Sequence, residues 1–176
     1  SDVTYPLLAG TAVPSDFVEL PSQLYEHWLE VPEILQNYAR HARSGDPMPK
    51  ALLDRVLATR TFNQGFATVE YTACALVDLD LHGLADAAQV DAARFERDDL
   101  ERIQMPAEIV MRHRLPHFQH LFSGGGYAAG YYSYMWSEVL DADAFEAFKE
   151  AGSAFDPATA QRLRDYIYRA GNLRDP

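Results

Sequence analysis

The chain has 176 residues, 48% hydrophobic and 23% charged, enough for a compact domain with its own core. Its net charge of −11 argues against nucleic acid and anionic membrane surfaces as partners. No apolar run is long enough to span a bilayer, and the single cysteine, Cys74, rules out an internal disulfide and suits a reducing cytoplasm.

Residues 1–13 read as an extended entry broken by Pro6 and Gly10, with at most a short β-hairpin near residues 1–12. Ser15 is a candidate N-cap, and Phe17, Leu20, Leu24, Trp28 and Val31 then share one helical stripe. Pro21 either kinks that helix or marks its first turn. Glu19 lies beside it, where its carboxylate can be aimed away from the apolar stripe. A second helix fits residues 33–42, ended by Gly45-Asp-Pro-Met-Pro49.

From Pro49 the pattern is helical almost to His82, with Phe62, Phe66, Val69, Ala73, Leu76 and Val77 near 3.6 spacing and Gly65 as a weak point. Asn63, Glu70 and Asp78 on that helix read as structural, with Arg60 or Arg112 as partners for a buried carboxylate. Cys74 reads as a small core residue. Residues 94–104 are heavily charged, the mark of an exposed face, and Pro106 starts a helix towards His113. Helices are expected over 128–140, 143–150 and 157–168, with Gly171 as the final stop. No alternating period-2 stretch of any length occurs, so the fold class is all-α.

One window concentrates chemistry: His120-Leu-Phe-Ser-Gly124-Gly125-Gly126-Tyr127-Ala-Ala-Gly-Tyr131-Tyr-Ser-Tyr134-Met-Trp136. Adjacent glycines let a ligand backbone come close. On a helix, Tyr127, Tyr131 and Tyr134 would put three phenol donors on one face, suited to an extended polar ligand such as a peptide. Tyr132 and Trp136 would point off that face into the core. His113, His117, His82, His41 and His27 have no supporting context.

The segment Gly10-Thr-Ala-Val-Pro14-Ser15-Asp16-Phe17-Val18-Glu19-Leu-Pro21-Ser22-Gln23 resembles the G-T-x-x-x-x-D-F-V-E-x-P-S-Q segment of the thimet-oligopeptidase-type (M3) zinc metallopeptidases. The His120–Trp136 window resembles the same family's substrate loop, in a form most like its bacterial peptidyl-dipeptidase branch. The resemblance runs over nearly the whole chain, including Phe62-Asn-Gln-Gly-Phe-Ala-Thr-Val-Glu-Tyr71 and Arg169-Ala-Gly-Asn-Leu-Arg-Asp-Pro176. It implies Zn2+ as cofactor with Glu19 as third protein ligand. It also implies His120, Gly124, Gly125, Gly126 and Tyr131 on the substrate, and Tyr134 and Tyr127 stabilising the oxyanion at the scissile carbonyl.

The family's H-E-x-x-H helix is not in this sequence. The one His pair at that spacing, His113-Arg-Leu-Pro-His117, has Arg114 in place of the glutamate and Pro116 against an unbroken helix. The expectation is therefore one helical domain over 1–176, the C-terminal portion of a larger zincin-like catalytic domain, inactive alone because catalytic zinc needs three protein ligands. The intact protein is expected to be a cytoplasmic, monomeric zinc peptidase releasing C-terminal dipeptides from short peptides. Alternatives are an endo-acting oligopeptidase of the same family and a non-catalytic helical peptide-binding module. The chain by itself is expected to self-associate through uncovered apolar surface.

Overall fold

The structure, a computed structural model, describes residues 1–86, 88–124 and 126–174. It is mostly helical, and among the described residues no strand forms; the sole β-bridge joins Arg40 and Pro47. The entry over residues 1–12 carries a 3-10 turn, Pro6–Leu8. No helix among the described residues is long and apolar enough to cross a membrane. The chain divides into two compact units, Ser1–Arg60 with Tyr134 onward, and Thr61–Ser133.

The first unit contains α1 (Leu20–Glu26), α2 (Pro32–Tyr38), α3 (Lys50–Ala58), all of α7 (Ser133–Glu150) beyond its first residue, and α8 (Pro157–Leu163). The stripe expected from Phe17 to Val31 is only partly one helix. Residues 15–19 are turns and α1 starts at Leu20, with Pro21 in its first turn, where a missing N–H costs nothing. Leu20 and Leu24 are buried as expected. Leu24, Phe145 and Phe148 form the core cluster, with Trp28 packed against it. The Trp28 ring stands edge-on to Phe145 and Phe148 at 5.0 and 5.1 Å, and its indole N–H donates to the Ala154 carbonyl at 3.0 Å. At α8 the Asp156 side chain accepts from the Thr159 N–H at 2.7 Å, an N-cap followed by Pro157 at the first helical position. A π-helical turn, Arg164–Tyr168, follows, and Gly171 takes φ +54°.

The second unit contains α4 (Gln64–His82), α5 (Ala92–Arg102) and the short α6 (Gln119–Phe122). The helix expected from Pro49 to His82 is broken, because α3 ends in a 3-10 turn at Thr59–Thr61 and Asn63 takes φ +54°. The buried face of α4 also differs from the expected stripe. Phe62, Phe66, Val69 and Leu76 are exposed, while Ala73, Cys74, Ala75, Val77 and Asp78 are buried. Small side chains on that face admit the close approach of neighbouring backbone.

Residues 105–114 form no helix, contrary to the start expected at Pro106. They are held from α5 instead: the buried Glu96 accepts from the Arg114 guanidinium at 2.7 Å and from the Leu115 N–H at 2.9 Å. The charged α5 is therefore not simply a solvated face, since Glu96 and Asp99 are both buried. Cys74 is fully buried, and burial raises its thiol pKa, which fits a core residue.

Candidate active site

The sequence-predicted site residues fall into two sets, one in each unit. In the first unit, Glu19 is half-buried at the start of α1, and its carboxylate Oε2 accepts from the Ser22 hydroxyl at 2.9 Å. It stands at the wall of an apolar cavity of about 520 Å³, lined also by Val13, Phe17, Tyr25 and Tyr168. Burial pushes the Tyr168 phenol up, so it remains an O–H donor. Among the described residues, no group of three or more His, Cys, Asp or Glu side chains could hold a metal ion. What the residues do offer is one carboxylate oriented by a neighbouring hydroxyl, and that fits a single ligand of a zinc site completed by other residues.

Tyr134 lies in the first turn of α7, half-buried. Its carbonyl accepts from the Gln23 side-chain amide at 3.0 Å, and Gln23 is one turn along α1 from Glu19. Three residues further along α7, the buried Ser137 hydroxyl donates to the Asp16 carbonyl at 2.8 Å. One turn further still, Asp141 meets His27 Nε2 at 2.6 Å, and the His27 ring stacks on Phe145 at 4.5 Å. Tyr134, Ser137 and Asp141 are spaced by three and four, so one face of α7 is tied at three points to the segment that carries Glu19. Nothing in the sequence indicates Ser137 or the His27–Asp141 pair.

In the second unit, His120, Gly124, Gly126 and Tyr127 surround one open cleft of about 450 Å³. Gly125 lies outside the described residues. His120 meets Tyr127 and Tyr131 edge-on, with ring centroids 5.7 and 5.3 Å apart. Tyr131 is buried at 4% exposure; its ring also stands edge-on to Phe118 and stacks on Tyr71.

The helical tyrosine ladder does not form. Residues 127–132 are turns, Ala129 takes φ +56°, and α7 starts only at Ser133. Consequently Tyr127, Tyr131 and Tyr134 do not share a helix face. Tyr132 and Trp136, expected in the core, are exposed.

His113 was passed over in the sequence because nothing adjacent supported it. The structure stacks it on Phe118 at 5.0 Å and sets it 5.4 Å from the His120 ring. Burial, then the nearby His120 and Arg112, holds the His113 imidazole below its ordinary value, so it stays neutral near pH 7.

The model of Peptidase family M3 matches residues 1–176. The dipeptidyl carboxypeptidase of Salmonella typhimurium is 41% identical over 97% of this chain and 25% of its own length; that of Escherichia coli K12 is 40% identical over the same shares. Oligopeptidase A of Escherichia coli K12 is 37% identical over 94% of this chain and 24% of its own length. The chain thus spans about a quarter of the length of the curated relatives it matches. With the family model covering it from end to end, the chain belongs to peptidase family M3.

Proposed function

We propose that this chain is the C-terminal part of a zinc-dependent metallopeptidase that hydrolyses short peptides and releases dipeptides from their C-termini. The observation that carries the reading is the bond from Gln23, one turn along α1 from Glu19, to the Tyr134 carbonyl, which ties the backbone bearing a ligand-type carboxylate to the backbone bearing a phenol donor. Zinc, when bound, supplies Lewis acidity and makes water nucleophilic at neutral pH. Glu19 would be one of its ligands, oriented by Ser22.

The roles of the other residues follow from their chemistry. The Tyr134 hydroxyl donates to the oxyanion that develops at the scissile carbonyl, an interaction that strengthens as charge builds up. Tyr127 gives a second phenol donor beside the cleft. His120 can donate from one ring nitrogen and accept at the other, which matches a peptide backbone. Gly124 and Gly126, with Gly125 between them, leave room for the substrate main chain, and the buried Tyr131 ring fixes the orientation of His120. The general base and the two histidine ligands of such a site are not among these 176 residues, so on this reading the chain alone is inactive.

Similarity to dipeptidyl carboxypeptidases favours exo-cleavage, and similarity to oligopeptidase A keeps an endo-acting enzyme as the second reading. Mass spectrometry of products from the full-length, zinc-loaded protein separates them. Release of C-terminal dipeptides, abolished by amidating the peptide's C-terminus, is expected. Internal cleavage indifferent to amidation would select the oligopeptidase. Binding without cleavage would select a peptide-binding module.

A further inference from the structure

Asp78 is the most buried carboxylate among the described residues of the second unit, at 0% exposure, and nothing in the proposed chemistry uses it. Its two oxygens are committed to backbone. Oδ1 accepts from the Ala129 N–H and Oδ2 from the Tyr131 N–H, both at 2.9 Å. His82, one turn further along α4, reaches Oδ1 with Nδ1 at 2.8 Å. Seven residues before Asp78, on the same face of α4, the Tyr71 hydroxyl donates to the Tyr131 carbonyl. Cys74 lies between them on that face, fully buried, against the backbone of Arg112 and His113.

One stripe of α4 therefore grips both sides of a single residue: Asp78 holds the N–H of Tyr131 and Tyr71 holds its C=O. The grip explains why the helix does not begin at Ala128. The N–H groups of Ala129 and Tyr131 go to the carboxylate, and Ala129 is held in the left-handed region that a non-glycine residue avoids without support. A planar carboxylate suits this task, because it accepts at both oxygens and both N–H groups point at it. An asparagine would turn its NH₂ towards one of the two donors.

The geometry points to Asp78, assisted by Tyr71 and His82, as a positioning residue for substrate binding. By fixing Ala129–Tyr131 it sets the Tyr131 ring against His120 and sets Tyr127 at the cleft beside Gly124 and Gly126. The inference rests on the peptidase reading for its substrate, but the local anchoring can be measured without turnover.

The test uses the full-length protein with Asp78→Asn and, separately, Tyr71→Phe, which keeps the ring and removes only the hydroxyl. Well below the melting temperature, KM for a short internally quenched peptide is expected to rise about tenfold in Asp78→Asn, with a smaller change in kcat. Amide exchange by mass spectrometry is expected to quicken in the 127–132 segment and not in α1 or α7. A role in stability alone would lower the melting temperature while leaving KM and local exchange as in the wild type, and that result in a folded variant overturns the proposal. If Asp78→Asn does not fold, Tyr71→Phe decides by the same two readouts. If the wild type itself cleaves no peptide, the peptidase reading fails separately. Exchange then decides: quickening confined to 127–132 supports the anchor, and unchanged exchange refutes it.

Discussion

The Gln23 side-chain amide donates to the Tyr134 carbonyl at 3.0 Å, although the two residues are 111 positions apart. That bond joins the helix that begins beside Glu19 to the first turn of α7, and the Ser137–Asp16 bond repeats the connection three residues on. The backbone under Tyr134 is thus fixed by the same segment that carries Glu19. Replacing Gln23 by Leu should remove the tie while keeping the volume. The expected cost is about 1 kcal/mol of stability, with a fall in kcat of the full-length enzyme that exceeds any change in KM. Thermal melts and steady-state kinetics check both; a variant with wild-type kcat would show that Tyr134 does not depend on the tie.

Tyr134→Phe removes one hydroxyl and leaves the α7 backbone bonds in place. If that hydroxyl donates to the developing oxyanion, kcat should fall by about 10²–10³-fold while KM stays within a few-fold. A kcat near wild type would remove Tyr134 from the chemistry.

His113 makes a pH prediction. Its imidazole is held low by burial, so the unfolded chain binds the proton more readily than the folded one. The stability it supports is fully present above the unfolded value of about 6.5 and is lost as pH falls through that value towards the lowered folded one. His113→Phe, which can keep the stack on Phe118, should flatten the decline of the melting temperature between about pH 7 and pH 5. Parallel pH profiles for variant and wild type would contradict the assignment.

Gly171 makes a steric one. It has φ +54°, and a Cβ there would lie 2.3 Å from the Leu8 carbonyl oxygen. The neighbouring Asn172 N–H donates to that same oxygen, so the clash is with anchored backbone. Gly171→Ala should lower stability by at least ~1–2 kcal/mol, visible as a drop of several degrees in the melting temperature. An unchanged melt would mean the terminal segment re-forms elsewhere.

Local signals were read well from the sequence. Helical period places Leu20 and Leu24 in the core, Gly171 marks a stop, and of the His120–Trp136 window His120, Gly124, Gly126 and Tyr127 line one cleft. Two departures from the expected helices share a physical cause. Residues 128–132 have a helical pattern, but Asp78, 51 and 53 positions away, captures the N–H groups of Ala129 and Tyr131. Glu96 similarly takes the Leu115 N–H and ends any helix running from Pro106. Side chain-to-backbone bonds across such separations leave no periodic trace. For the same reason Arg60 and Arg112 were the wrong partners for Asp78: Arg60 pairs with Glu30 at 2.9 Å, while backbone amides and His82 serve the buried carboxylate. His113 was missed because its neighbours His120 and Tyr131 come together only through the fold.

The role of Glu19 as a zinc ligand is decided by the metal content of the full-length protein, wild type against Glu19→Gln, by mass spectrometry after dialysis, with peptide turnover measured on the same samples. About one zinc per chain with turnover is expected in the wild type, and strongly reduced zinc with no turnover in the variant. A Glu19→Gln protein that kept both its zinc and its activity would contradict the assignment of Glu19 as a metal ligand.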